Sequence, residues 1–466
     1  MRSGPASCEP ALMWWTLRVK RPRWTPEAFS GEDVPMPALR HHARTAACRT
    51  VLLLLTTLAV VAQKPAEGPA PGELKLQTEM QKLAAQQAQW CLEHRQCEEG
   101  LRVLAEAGES PAVAKLKKAL ESATPAVESP LLPVKRKEWR QRRAVLGLQL
   151  MSAALKAQAL ARAQAAFVSV REDLEPARAV KALVELVRAA RDDKDVALAS
   201  RILLTAESAL SDSKERLLMR TVREELALRE GVLLKAEGRP MVAWVALPVG
   251  WKAGAKDVAV QVALEGAGSN FLGALRNFRQ QRGERNVILV VPCTLSNTNA
   301  LDAARYPDYD AATLAANEAR DGRRFDFDAQ GLTGILEVLR RDYGAAPRFS
   351  VTGFSGGGML TWWWILHRPA DLEHALLACG NFQGPPPADK PEFTAPGPDI
   401  HLLIGEKDGF NEEVFGQKPG IIGQTDAGEA AARAFGLSRI TRRVISGAGH
   451  DSFAAEVWKL HDPLRR

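Results

Sequence analysis

A chain of 466 residues is too long for one ordinary core, and two folded units plus appendages are the expectation. Its composition is that of a globular protein, with 46% hydrophobic and 25% charged residues. The formal charge of +7 overstates the folded part, because residues 1–50 hold eight Lys/Arg against four Asp/Glu and leave +3 for the remainder, so nothing calls for a nucleic-acid partner.

The first 62 residues read as an address and not as a fold. Arg40, Arg44 and Arg49 precede the apolar run "VLLLLTTLAVVA" (Val51–Ala62), after which "QKPAEGPAPGE" is polar and rich in Pro and Gly. A basic region, a short apolar run and small residues at Val60 and Ala62 match a secretory signal over 36–62, cleaved after Ala62. A retained anchor is the alternative, but a spanning helix needs about 20 apolar residues. The expectation is a secreted or periplasmic protein with no stable membrane span after cleavage. Residues 1–35 carry no hydrophobic period; either Met36 is the natural start or 1–35 is a disordered extension. Residues 63–73 read as a linker.

Export leaves Cys91, Cys97, Cys293 and Cys379, too few for a disulfide framework. Cys91 and Cys97 can pair only if a turn falls between them, because six residues of helix rise about 9 Å. Neither C-x-x-C nor H-x₃-H occurs, and no metal or organic cofactor is expected.

From Leu74 to Ala236 apolar residues recur at three- and four-residue spacings, as in Leu183, Leu186, Val187 and Ala190, continued by Leu198, Ile202 and Leu203 after "RDDKD". This period predicts a helical accessory domain over 74–236, a stack of amphipathic hairpins. Gln86–Leu120, with Trp90, Cys91, Leu92, Leu101 and Leu104 as packing positions, resembles one degenerate tetratricopeptide-like helix pair, and no second copy at a 34-residue period is visible. Such a domain either packs as an accessory or takes a protein partner. "SATPAVESPLLPVKRKEWRQRR" (Ser122–Arg143) reads as a solvated loop, with contact to an anionic surface as the alternative.

After Gly238 the period changes. Short β-rich runs at Met241–Pro248, Val258–Gly266, Asn286–Pro292, Arg348–Phe354, His374–Gly380, Ile400–Glu406 and Ile440–Gly447 alternate with helical stretches at Ala274–Arg282, Ala329–Tyr343, Gly357–His367, Ala427–Phe435 and Ser452–Leu460. Alternation of this kind predicts a mostly parallel sheet flanked by helices over 237–466.

Chemistry on such a sheet collects beyond the carboxyl ends of the strands. "VTGFSGGGMLTWWW" (Val351–Trp364) puts Ser355 at one such end, in a G-x-S-x-G pattern that chance alone supplies in about one chain in ten of this glycine content. Gly353 and Gly357 permit a sharp strand-to-helix turn, and the Gly356 NH can meet developing negative charge. A serine needs a base, itself oriented by an acid. Asp408 in "IHLLIGEKDGF" and His450 in "ITRRVISGAGHDSF" each follow a strand closely, giving the order Ser355, Asp408, His450. His450 would take the serine proton and Asp408 would hold one imidazole tautomer, so activity should fall as pH drops through the titration of His450.

From Met241 onward the chain resembles an α/β-hydrolase, and within that group it is similar to secreted esterases of the polyhydroxybutyrate-depolymerase and feruloyl-esterase type. "WVALPVGW" (Trp244–Trp251) resembles that group's first L-P-x-G-[YW] strand and "VALEGAGSN" (Val262–Asn270) its H-G-x-G loop. "GFSGGG" resembles its nucleophile elbow, "GEKDGF" its acid loop and "GAGHDSF" its histidine loop. The resemblance implies hydrolysis of carboxylic esters through an acyl-enzyme, without metal or organic cofactor. The second oxyanion donor it implies is the Ala267 NH, with Gly268 as its neighbour. Glu265 stands where the family usually has His. The rival reading is therefore a weak or inactive hydrolase fold that acts as a binding or scaffolding module through its helical domain.

Glu406 and Asp426 are rival acids, and His367, His374 and His401 read as helix-end or strand residues. Trp362, Trp363 and Trp364 are core, with one of them free to line the acyl pocket. Asn381 and Phe382, after the next strand end, form either the pocket wall or a plain loop. Cys293 and Cys379 are expected as free thiols. Thr294–Asp326, long and polar, reads as a lid or substrate-facing insertion.

Overall fold

A computed structural model describes residues 68–462 apart from 193–194, 208–212, 299, 320–322, 384–386, 388–390, 394–396 and 413–418. The readings made for the extension at 1–35, the signal at 36–62, Cys8, Cys48 and most of the linker lie outside these residues. No helix among the described residues is long and apolar enough to cross a membrane.

Among the described residues eight α-helices precede the sheet: α1 (Pro71–Glu93), α2 (Cys97–Leu104), α3 (Pro111–Ser122), α4 (Leu132–Lys156), α5 (Leu160–Val170), α6 (Pro176–Asp192), α7 (Val196–Glu207) and α8 (Ser213–Arg229). Part of the basic stretch read as a loop is thus the start of α4, whose first turn accommodates Pro133 without loss of a helical hydrogen bond. A turn does separate Cys91 from Cys97, yet both are free and buried, as are Cys293 and Cys379.

The sheet has eight strands: β1 (Val232–Lys235), β2 (Val242–Ala246), β3 (Ala259–Leu264), β4 (Val287–Pro292), β5 (Phe349–Phe354), β6 (Leu372–Ala378), β7 (Asp399–Gly405) and β8 (Ile440–Ile445). Their order is β1-β2-β4-β3-β5-β6-β7-β8. β2 runs antiparallel to both its neighbours, and from β4 to β8 all pairings are parallel. This mostly parallel, helix-flanked sheet fits the α/β-hydrolase fold. The intervening helices are α9 (Phe271–Arg282), α10 (Ala311–Ala316), α11 (Arg323–Tyr343), α12 (Gly357–His367), α13 (Ile421–Ala434) and α14 (Ala454–Lys459).

Alternate strand residues feed two cores. Val245, Val262, Val290, Val351 and Leu402 pack with Leu332, Leu360, Trp362 and Trp364, and the same cluster takes in Leu150, Phe167, Leu183, Leu186, Leu203 and Leu226 from the N-terminal helices. Trp244, Leu289, Leu376 and Leu403 face the other way, toward Leu275, Phe278, Tyr306, Tyr309 and Trp458. Helices α4 to α8 therefore share a continuous core with the sheet. The last strand, β8, is an exposed edge carrying Thr441, Arg442 and Arg443, residues that discourage pairing with another chain.

At the far end of the chain, His461 is buried with its Nε2 donating to Gln261 Oε1 at 2.9 Å, while Gln261 Nε2 donates to the Val262 carbonyl at 2.8 Å. Burial pushes the His461 imidazole down from 6.5 to about 4, and burial lowers His374 and His401 as well. Because the folded value lies below the unfolded one, the stability contribution is complete above pH 6.5 and is lost as pH falls toward 4. For His461 alone the loss is of the order of 3 kcal/mol. Urea unfolding at pH 7 and pH 4 should show it, and His461→Gln should flatten the difference; an unchanged slope would sink the assignment.

Candidate active site

Ser355 sits between the last residue of β5 and the first of α12, with φ of +49°. A non-glycine residue in the left-handed region is a local strain that its surroundings must hold. Here the Ser355 NH donates to the Ala378 carbonyl at 3.1 Å, and the Ser355 carbonyl accepts from the Gly358 NH and the Asn381 NH, each at 2.9 Å. The turn is tight enough to exclude side chains: a Cβ on Gly353 would lie 2.2 Å from Thr361 Oγ1, and one on Gly357 2.3 Å from the Leu264 carbonyl oxygen. Backbone contacts on both sides thus present the half-buried serine beyond the sheet.

His450 Nδ1 lies 2.8 Å from Asp408 Oδ2. Donation of that proton to the carboxylate fixes the tautomer and leaves Nε2 as a base. Phe354 and Phe410 pack against the imidazole with ring centroids 4.8 and 4.7 Å away. Asp408 is buried, and burial on its own would push its carboxyl up. Hydrogen bonds from His450, from the Phe410 NH at 2.8 Å and from Cys379 outweigh that and hold it below the usual carboxylate range.

Cys379 was expected only to be free. It stands at the end of β6 with φ of +47°, its thiol 3.9 Å from the Gly449 carbonyl oxygen, and its sulfur, Asp408 and His450 offer atoms within 4.8 Å of one another. Burial, assisted by Asp408, pushes this thiol up to about 12, and as a thiol it donates to the Asp408 carboxylate. The rival acids are elsewhere: Glu406 is exposed and accepts from Ser446 Oγ and the Gly447 NH, and Asp426 pairs with Arg442.

Among the described residues Ser355 Oγ has no hydrogen bond to His450; the two are linked through Phe354, which precedes the serine and packs on the imidazole. A Cβ on Gly356 would lie 3.3 Å from the Ala267 nitrogen and 2.1 Å from the Asn297 carbonyl oxygen, so the Gly356 and Ala267 amides are neighbours. Ala267 and Gly268 are exposed on the turn after β3. Gly356→Ala should cost about 1–3 kcal/mol through overpacking against the Asn297 carbonyl; thermal unfolding checks it.

Sequence reading missed what supports that turn. Asn297 Nδ2 donates to the Glu265 and Gly266 carbonyls at 3.1 and 2.8 Å. Tyr306 OH lies 2.9 Å from Asn297 Oδ1 and 3.0 Å from the Thr294 carbonyl, two acceptors for its single proton, so Ser269 Oγ at 3.0 Å is the donor to it. Fully buried Asp328 accepts from the Leu295 and Ser296 NH groups, and burial pushes its carboxyl up to about 7. Tyr306, Tyr309 and Leu314 are buried, so this part of Thr294–Asp326 packs inward as a support and not as a lid.

Glu265 is half-buried, and its carboxyl is pushed up by burial against a hydrogen bond from Gly266. Asn381 and Phe382 both reach Gln424: Asn381 Nδ2 donates to Oε1 at 3.3 Å and the Phe382 NH at 2.9 Å. Phe382 also packs edge-on against Trp362, which with Trp364 is core, while half-buried Trp363 stacks on His367.

No family model matches the chain, and no curated protein does. Among solved structures, it is similar to poly(aspartic acid) hydrolase-1 from Sphingomonas sp. KT-1, at 16% identity and TM-score 0.36 over 50% of this chain and 99% of that one. It is also similar to the Bacillus cereus carboxylesterase (13% identity, TM-score 0.34, 49% of this chain and 96% of that one). An S-formylglutathione hydrolase from Agrobacterium tumefaciens gives 14% identity and TM-score 0.32 over 50% and 93%. Likeness of this degree carries nothing about activity.

Proposed function

We propose that this protein is a serine hydrolase that cleaves carboxylic esters through an acyl-enzyme, with Ser355 as nucleophile, His450 as base and Asp408 as its orienting acid. The observation that carries this reading is the 2.8 Å bond between Asp408 Oδ2 and His450 Nδ1 beside a serine held at φ +49° on a strand-to-helix turn. His450 Nε2 takes the Ser355 proton as Oγ attacks the ester carbonyl, and the imidazolium returns that proton to the leaving alkoxide. The Gly356 and Ala267 NH groups receive the oxyanion. Water then repeats the sequence on the acyl-enzyme. In this reading Gly268, Asn381 and Phe382 border the pocket, the substrate is a small-molecule or extracellular polymer ester, residues 36–62 direct export and 74–236 form an accessory domain.

Glu265 favours a second reading, a weak or inert enzyme, since a carboxylate beside the oxyanion turn would oppose charge developing there. Burial holds that carboxyl up, which keeps it neutral over a wider acidic range than an exposed glutamate. A fluorophosphonate probe and short p-nitrophenyl esters distinguish the readings. Labelling of the wild type with ester turnover supports the enzyme; absence of both sinks it.

A further inference from the structure

Among the described residues, a charged contact joins the N-terminal helices to the loop beside the candidate site. Arg201, on α7, donates through Nε to Asp308 Oδ1 at 2.6 Å and through Nη2 to Oδ2 at 3.4 Å. The side chains of this pair are 18% and 9% exposed, so both charges are largely withdrawn from water. Asp308 belongs to a short loop in which Tyr306 reaches the support of the oxyanion turn and Tyr309 reaches the end of β4. Two residues before it, Tyr306 bridges Ser269, Asn297 and Thr294; one residue after it, Tyr309 donates to the Cys293 carbonyl at 2.6 Å. Asn297 in turn holds the Glu265 and Gly266 carbonyls and abuts Gly356.

Packing does not set the position of this loop by itself. A cavity of about 180 Å³ lies against it, bordered by Arg201, Trp244, Ser269, Tyr306 and Asp308. Tyr306 and Tyr309 pack into the core, and where Asp308 between them borders open space a polar anchor adds to that packing; Arg201 supplies one from the N-terminal helices. We propose that Arg201 is a positioning residue for the hydrolase reaction, fixing the Ala267 amide through Asp308, Tyr306 and Asn297. The helical segment is then a brace for the oxyanion turn. This inference rests on the ester-hydrolase reading for its kinetic consequence and not for its structural one.

The full-length chain tests it with Arg201→Met, Arg201→Lys, Tyr306→Phe and the Arg201→Met/Tyr306→Phe double variant. Because the oxyanion donor acts on the transition state, Arg201→Met should lower kcat about tenfold with KM within about twofold. Arg201→Lys, which keeps the charge, should recover to within about threefold of wild type. Both residues act along one chain of contacts, so the double variant should be no slower than Tyr306→Phe alone by more than about twofold. Multiplying effects, or an Arg201→Met enzyme with wild-type kcat, would overturn the proposal. Hydrogen exchange read by mass spectrometry supplies an arm that needs no activity. Amides of 265–270 should exchange faster in Arg201→Met while those of 408–411 do not change, and equal protection of 265–270 in the two proteins overturns the brace. If the wild type cleaves no ester, the hydrolase reading fails and the exchange arm still decides. Should Arg201→Met not fold, Asp308→Asn, which keeps the shape and removes the pairing charge, carries the same measurements.

Discussion

If the proposed function holds, Ser355→Ala should abolish ester cleavage and fluorophosphonate labelling and leave the protein folded. The serine is held entirely by its backbone, through Ala378, Gly358 and Asn381, and among the described residues its hydroxyl makes no hydrogen bond whose loss would unfold the turn. Alanine meets the same φ of +49° with a Cβ of the same size, so the unfolding free energy should stay within about 0.5 kcal/mol. The catalytic loss should be of the order of 10⁶ in kcat, since without the nucleophile only binding and the oxyanion donors remain, a residue of about 10³–10⁴ over water. Single-turnover kinetics with p-nitrophenyl acetate measure it. A variant that keeps even a hundredth of wild-type turnover removes Ser355 from the mechanism.

Much of this site is legible in the sequence because it is local. The elbow needs small residues on either side of Ser355, and Gly353 and Gly357 meet backbone and side chain at distances no Cβ tolerates. The seven strands anticipated after Gly238 all occur, each within a few residues of its expected bounds. β1 does not announce itself: "VLLK" follows α8 with Leu-rich spacing that continues a helical period, and what makes it a strand is its pairing with β2 ten residues later. The choice among three acids depends on a turn as well. Glu406 is nearer the end of β7, but the chain reverses through the Asp408 NH to Gly405 carbonyl bond, sending Glu406 to the Ser446–Gly447 turn and Asp408 to His450. The support from Asn297, Tyr306, Asp328 and Arg201 was invisible for a simpler reason. Each has at least one partner some 30 to 110 positions away, joined through hydrogen bonds that no periodicity records. The available signal was weak: two tyrosines and several acids in a segment read as a polar insertion.

Asp408→Asn should lower kcat by about 10⁴ while changing KM little. In the wild type the carboxylate only accepts, from His450 Nδ1, the Phe410 NH and Cys379. An amide of the same shape carries two N–H donors, and whichever way it is set, one of them must face a donor. The outcome that relieves this conflict at His450 is the other tautomer, with Nδ1 accepting and Nε2 protonated, and Nε2 is then no base for Ser355. Stability should follow with a definite sign. The folded Asp408 value lies below the unfolded value of 3.8, so its contribution is present above pH 3.8 and fades as pH falls through the folded value. The gap in unfolding free energy between wild type and Asp408→Asn should therefore be wide at pH 7 and close in strong acid. Glu406→Gln is the control. Glu406 is exposed and its carboxylate accepts from Ser446 and Gly447, away from His450, so kcat of this variant should stay within about twofold of wild type. Equal losses from the two substitutions would mean that the short bond between Asp408 and His450 holds a loop in place and orients no base.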